Sequence, residues 1–312
     1  MGVALHQYLY TNLVPDDREI IEICDQCINV NLRRTELPQL LRSELFISPQ
    51  PSLTVLQQAY ASRKEICATT LVNSFDGLEA EYLHYLEEST GKPVWGIANP
   101  LRRPQHGIDN ELECICWLDT WKQNSVLYVL FGSQTFLSKE QTKALVKGIA
   151  ASKQSFIWMI KDPVGSNVNS CDFLPEGFIK EMEDGGLVIH GWVPQLQILL
   201  YPSTTFFMTH CGWNSALESM SVGVPMVVWP MVFDQFINAK LVTEQLGIGL
   251  QICEGFDAIA STDIVENIVK ATMTTEIGED LRLQALKIKE SINEASCKLC
   301  CIGGFVSYIL NL

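Results

Sequence analysis

The chain has 312 residues, 47% of them hydrophobic, with 22 Lys and Arg against 36 Asp and Glu for a formal net charge of -14. That length fits about two domains with substantial cores. The acidic balance argues against nucleic acid or an anionic membrane surface as a general partner, since both attract basic patches, so an anionic ligand must be held by local dipoles rather than by net charge.

The first residues, "MGVALHQYLYTNLVPDDRE", have no basic leader region, and their apolar run is broken by His6, Gln7 and Asn12. Neither a signal peptide nor a membrane span is predicted there, and no later run reaches membrane length. Eleven cysteines, an odd number without disulfide-scaffold spacing, predict free thiols in a reducing compartment, so the expectation is a soluble cytoplasmic protein. Two CxxC pairs, Cys24/Cys27 and Cys297/Cys300, lie in apolar segments far apart with no histidine beside them, so a zinc site is not expected.

Further on, "CATTLVNSF" (67–75) reads as a strand, "LEAEYLHYLEEST" (78–90) as an amphipathic helix and "PVWGIA" (93–98) as a second strand, together one βαβ unit. "NPLRRPQHGIDNELEC" (99–114), rich in Pro, Arg and polar residues, reads as an interdomain linker. From Ser125 the pattern alternates. "SVLYVLFGS" (125–133) is a continuous apolar run stopped by Gly132, as in a central parallel strand. "SKEQTKALVKGIAAS" (138–152) opens with Ser138 and Gln141 in capping-box spacing. "SFIWMI" (155–160), "GLVIHG" (186–191), "TTFFMTH" (204–210) and "PMVVWP" (225–230) are four further strands, and "FINAKLVTEQLG" (236–247), "STDIVENIVKATM" (261–273) and "GEDLRLQALKIKESINEAS" (278–296) are helices. Strand and helix in alternation predict a doubly wound α/β domain whose ligand sits beyond the carboxyl ends of the strands.

One stretch concentrates polar side chains at two such ends. "TTFFMTHCGWNSALESMSVG" (204–223) reads as strand, glycine turn and helix. The unsatisfied amides that open a helix make a phosphate site without any lysine. Asn214 and Ser215 stand in the first turn, His210 at the strand exit, and Glu218 one turn further along the same face, where a carboxylate suits ribose hydroxyls. Asp234 and Gln235 follow the next strand and suit sugar hydroxyls. A plainer reading makes Asn214 and Ser215 helix caps and Asp234 the cap of the following helix. "GWVPQLQIL" (191–199) favours the nucleotide reading, because it puts an exposed indole at another strand exit, where it can stack on a base. No P-loop, no G-x-G-x-x-G and no D-x-D pair to hold a metal on a diphosphate occurs.

The run from Trp192 to Gln235, "WVPQLQILLYPSTTFFMTHCGWNSALESMSVGVPMVVWPMVFDQ", resembles the signature box of plant secondary-product UDP-glycosyltransferases. The resemblance extends to "WLDTWKQNSVLYVLFGSQ" (117–134), "LPEGF" (174–178) and "LVNSFDGLE" (71–79). It implies an α/β fold of the GT-B type, with a complete C-terminal Rossmann-like donor domain (115–290), a partial N-terminal Rossmann-like acceptor domain (1–98), a linker (99–114) and a C-terminal helix (291–312) returning to the N-terminal domain. The implied activity is metal-independent, inverting transfer of glucose from UDP-glucose to a hydroxyl of a small phenolic acceptor such as a flavonoid.

By the same resemblance Trp192 stacks on uracil, the Val193 backbone bonds its edge, and Gln195 and Glu218 hold the ribose. Ser133, His210, Asn214 and Ser215 bind the diphosphate, while Trp213, Asp234 and Gln235 bind the sugar. A final Gln points to a glucose donor. "FGSQ", "SKEQT" and "CEGFDAI" look closest to a branch that glucosylates flavonols and hydroxybenzoates.

Tyr201 replaces a usual His of the box, and Thr205 and Phe206 replace small residues, so altered packing is expected around them. Members of the family also carry a histidine base near the start of the chain and an aspartate that orients it. Neither motif is found, and "RTELPQLLRS" (34–43) resembles a later part of the acceptor domain, so an N-terminally incomplete chain is expected. His6 lacks the flanking Gly and Pro pattern, and His84, His106 and His190 read as structural or solvated. The alternatives are a non-catalytic UDP-sugar-binding paralogue or fragment, and an α/β nucleotide-binding protein that matches by convergence.

Overall fold

A computed structural model describes residues 20–25, 28–33, 67–97, 111–132, 137–162, 170–182, 184–232, 234–253, 258–297 and 300–311. Ser133, His6, His106, residues 34–43 and 99–110, and the side chains of the CxxC cysteines lie outside that description. The chain divides into two compact units, one of Met1–Asn99, Val232–Ile237 and Glu290–Leu312, the other of Pro100–Met231 and Asn238–Lys289.

In the first unit β1 (Ile20–Asp25) and β2 (Ile28–Arg33) form an antiparallel ladder. The predicted βαβ unit follows as β3 (Thr70–Val72), α1 (Asp76–Thr90) and β4 (Val94–Gly96), with β3 and β4 parallel. Helix α1 buries Tyr82, Leu83 and Leu86. Where "NSF" leads into it, the Ser74 hydroxyl donates to the buried Glu79 carboxylate at 2.5 Å.

The second unit's first described element is α2 (Glu111–Asp119), so the last four residues of the expected linker, 111–114, form the first turn of a helix that buries Cys114 and Leu118. Then come β5 (Val126–Leu130), α3 (Lys139–Ser152), β6 (Ser155–Ile160), a 3-10 turn (Ser170–Phe173), α4 (Phe178–Glu181), β7 (Gly186–His190), α5 (Gln195–Leu200), β8 (Thr204–Thr209), α6 (Trp213–Val222) and β9 (Met226–Val228). Helix α7 (Gln235–Lys240) follows and runs into a π-helical segment, Leu241–Gln245, before β10 (Gly249–Gln251). The predicted single helix over 236–247 thus changes its winding halfway, and the Leu246 and Ile248 amides bond back to Leu241 and Val242. Helices α8 (Thr262–Thr274), α9 (Glu276–Cys297) and α10 (Cys300–Leu310) close the chain, the last belonging to the first unit.

The six strands of the second unit form one parallel sheet in the order β10-β9-β8-β5-β6-β7. Its central strands are buried along their whole length, as the continuous apolar runs predict, with Tyr128 stacked on Phe207 at 4.9 Å. The chain winds outward from β5 in both directions, so the strand order reverses between β5 and β8. A crevice at the carboxyl ends of those two strands is where a doubly wound sheet binds its ligand. Helix α3 is capped as predicted, Ser138 accepting from the Gln141 amide and Gln141 from the Ser138 amide.

Candidate functional site

Residues from both sides of that crevice meet around His210. Strand β8 delivers Thr209 and His210, Cys211 takes a left-handed conformation (φ 63), and Gly212 opens α6. The His210 ring is buried, 8% exposed, with Nδ1 at 3.3 Å from the Thr209 hydroxyl. It fits because two glycines flank it: a Cβ on Gly132, at the exit of β5, or on Gly212 would stand 2.5 Å from the imidazole. Gly132 also needs its positive φ of 76. Asn238, buried in α7, donates to the Cys211 carbonyl at 3.1 Å and holds the left-handed turn.

The cap of α6 is Gly212, with no side-chain cap, so Asn214 and Ser215 are not the helix caps of the plainer reading. They are the second and third residues of the helix, Asn214 exposed and Ser215 half-buried, after a half-buried Trp213. The first-turn amides therefore point out of a helix whose cap offers them no side-chain oxygen, which is the arrangement that attracts an anion.

A second cluster joins α5 to α6. Trp192 and Val193 follow β7, and Gly191 makes the turn with φ 115. Trp192 is 62% exposed whereas Val193 is buried. The Val193 carbonyl accepts the Gln195 amide at 2.9 Å. The Gln195 side-chain amide donates to Glu218 at 2.6 Å and to the Ser215 hydroxyl at 3.3 Å. Burial raises the Glu218 carboxyl above its ordinary range, opposed in part by the bond from Gln195. Gln195, Ser215 and Glu218 are thus one hydrogen-bonded set on the flank of the helix that starts at the crevice.

Asp234 and Gln235 lie after β9 in the segment that groups with the first unit. Asp234 is half-buried and Gln235 is buried, its side chain accepting the Val232 amide at 3.0 Å across the start of α7. His84 pairs with Glu88 along α1 at 3.3 Å and His190 with Asp162 at 2.9 Å, both on the surface. Among the described residues no cluster of three His, Cys, Asp or Glu is placed to hold a metal ion, and no helix is long and apolar enough to cross a membrane.

The departures from the signature box find partners. Tyr201 donates its hydroxyl to Asp119 at the end of α2, and Arg282 of α9 reaches Thr205 at 3.5 Å and stands 5.8 Å from the Phe206 ring. Sequence reasoning missed Asn238, which reads as one polar residue in a helical run, and the glycine pair around His210, whose signal was small residues at two strand exits.

Residues 110–283 match the family model described as UDP-glucoronosyl and UDP-glucosyl transferase. The chain belongs to that family, within the plant secondary-product UDP-glycosyltransferases, and its α/β fold is of the GT-B type. Family membership removes the reading by convergence. The chain is 37% identical over 255 residues to zeatin O-glucosyltransferase of Phaseolus lunatus, covering 77% of this chain and 55% of that protein. It is 32% identical over 308 residues to flavonol 3-O-glucosyltransferase UGT89B1 of Arabidopsis thaliana, covering 95% of this chain and 64% of that one. Among solved structures, a UDP-glucosyltransferase from Polygonum tinctorium capable of glucosylating indoxyl superposes with a TM-score of 0.79 at 29% identity, over 95% of this chain and 64% of that one. The chain thus spans roughly half to two thirds of the length of these relatives.

Proposed function

We propose that this chain binds a UDP-sugar at the crevice between β5 and β8 and serves in glycosyl transfer to a hydroxyl of a small phenolic acceptor. The observation that carries the reading is the Gln195, Ser215 and Glu218 set beside the uncapped start of α6 and the buried His210. A carboxylate and an amide one turn from an anion site match ribose next to diphosphate. In this reading Trp192 stacks on uracil, Val193 bonds the base edge, and Gln195 and Glu218 take the ribose. His210, Asn214, Ser215 and the first-turn amides of α6 take the diphosphate, joined by Ser133, while Trp213, Asp234 and Gln235 take the sugar.

UDP-glucose is the proposed donor, supported by the final Gln235 of the box and by the glucosyltransferases among the relatives. A small phenolic acceptor is supported by the flavonol named for one of them. Residues 115–290 would act as the donor domain, 1–98 with 291–312 on the acceptor side, and 99–114 as the linker. Transfer would proceed with inversion and without metal. A cytosolic setting accords with Cys67, Cys114 and Cys116 standing as free thiols. Every described histidine apart from His210 is paired on the surface, and that observation keeps a second reading in play, a UDP-sugar binder that does not itself transfer.

The test incubates the purified chain with UDP-glucose and a panel of flavonols and hydroxybenzoates, following UDP release and glucoside mass, with UDP affinity measured by calorimetry. Glucoside formation that disappears in Glu218→Ala supports transfer. UDP binding without glucoside supports the second reading. A wild-type chain that binds no UDP defeats both.

A further inference from the structure

The exits of β6 and β7 are tied together more closely than two neighbouring strands require. The strands pair in register to Ile160 and His190, and the Gly191 amide continues the ladder to the Ile160 carbonyl at 3.1 Å. Past the ladder, one Asp162 oxygen accepts the Ser170 amide at 2.7 Å and the other pairs with His190 at 2.9 Å. The Ser170 hydroxyl donates to the Lys161 carbonyl at 2.8 Å. At this tied strand exit the Lys161 ammonium lies 3.4 Å from the centroid of the Trp192 ring. Among the described residues its partner is that ring rather than a carboxylate, and partial burial lowers its pKa, so the indole face compensates a charge held partly out of water.

We propose that Lys161 is a positioning residue for nucleobase recognition, bracing the Trp192 indole so that the ring is set for the base before the ligand arrives. The inference rests on the reading of Trp192 as the uracil platform. An indole that is 62% exposed samples several rotamers unless something holds it, and ordering it on binding costs affinity. A cation on its face, carried by a strand exit that Asp162 ties to Ser170 and His190, removes part of that cost beforehand. The resulting specificity is for a nucleotide with a stacking base, whereas an anion alone gains nothing from it.

Calorimetry on the full chain with UDP and, separately, inorganic pyrophosphate tests this. Lys161→Met is expected to raise the Kd of UDP about threefold, the size of a partly exposed cation–π contact, and to leave pyrophosphate unchanged. Lys161→Arg, whose guanidinium also stacks, restores UDP affinity. In a Trp192→Ala background Lys161→Met has no further effect. An unchanged or lower Kd for UDP in Lys161→Met overturns the inference, as does an equal loss for pyrophosphate, which would make the lysine a phosphate ligand, or an additive loss in the Trp192→Ala background. If Trp192→Ala weakens UDP and Lys161→Met does not, only this inference falls. If Trp192→Ala leaves UDP affinity intact, the base-platform reading falls with it.

Discussion

The two units solve the same packing problem with different means. In the second, the inner strands β5, β6 and β8 of a six-stranded parallel sheet bury side chains on both faces, and His210 and the polar residues of α6 lie beyond the carboxyl ends. In the first, β3 and β4 pair over three residues each, α1 covers them, and α10 adds Phe305 and Tyr308 against Trp95 at 6.3 and 6.1 Å while leaving Val306, Ile309 and Leu310 exposed. A wide covered sheet can carry a fixed site on rigid strand ends, and a two-stranded pair is marginal without further packing. Stability and ligand recognition should therefore be concentrated in the second unit.

Core truncation gives the largest expected effect. Phe207→Ala removes a fully buried ring stacked on Tyr128 and should destabilise the second unit by about 3–5 kcal/mol. Trp95→Ala acts on a half-buried ring of the first unit and should cost roughly 1–2 kcal/mol, since less area leaves water there. Hydrogen exchange with and without UDP separates the two: UDP should protect amides of β5, β8 and α6, and that protection should survive Trp95→Ala. Equal protection across β3 and β4 would break the comparison.

Within the second unit, Gly132→Ala and Gly212→Ala place a methyl 2.5 Å from the His210 ring. The ring must move, and UDP affinity should fall on the order of 10- to 100-fold, the loss expected when a bond to a charged group is displaced. Calorimetry checks it, and near-wild-type affinity would mean that His210 plays no part in binding.

Glu218→Gln comes next, with an expected loss of roughly tenfold, since an amide is a poorer acceptor of ribose hydroxyls than a carboxylate. Its pH dependence sharpens the assignment. Burial raises the Glu218 carboxyl above its ordinary 4.5, so the folded chain holds that proton more tightly than the unfolded one. The group therefore favours folding at low pH, and the contribution is lost as pH rises from 4.5 through the raised value. UDP affinity should move the opposite way and rise over the same window as the carboxylate forms. Glu218→Gln should flatten both profiles, and a UDP profile that keeps its slope in this variant would assign the titration to another group.

How much of this was legible in the sequence follows the same division. The strands β5, β6, β8 and β9 were readable because a parallel strand covered on both faces leaves a continuous apolar run, and Ser138 with Gln141 announced α3. The polar residues at strand exits were readable because a ligand site there has a fixed address in the fold. Asn214 and Ser215 were readable as first-turn residues but not as non-caps, because a glycine cap leaves no side-chain signal. Lys161 on Trp192 was hidden by a separation of 31 positions and by the β6–β7 register that closes it. The helix that starts at Glu111 was hidden inside a polar run, because only Cys114 and Leu118 mark its buried face.

The smallest expected effect lies on the rim of the second unit, where Tyr201 stands in place of the usual histidine of the box. Its hydroxyl bonds the Asp119 carboxylate, which raises the phenol's pKa, but the pair is exposed and free to exchange with water. Tyr201→Phe should change stability by no more than about 0.5 kcal/mol, because an exposed polar pair gains little over its hydrated parts. UDP affinity should be unchanged, since the contact joins the end of α2 to the loop after α5 and touches none of His210, Ser215 or Glu218. Thermal melts and calorimetry on this one variant decide the point. A drop in UDP affinity comparable with that of Glu218→Gln would mean that the rim and the crevice move as one body, and the separation between packing residues and binding residues in this unit would have to be redrawn.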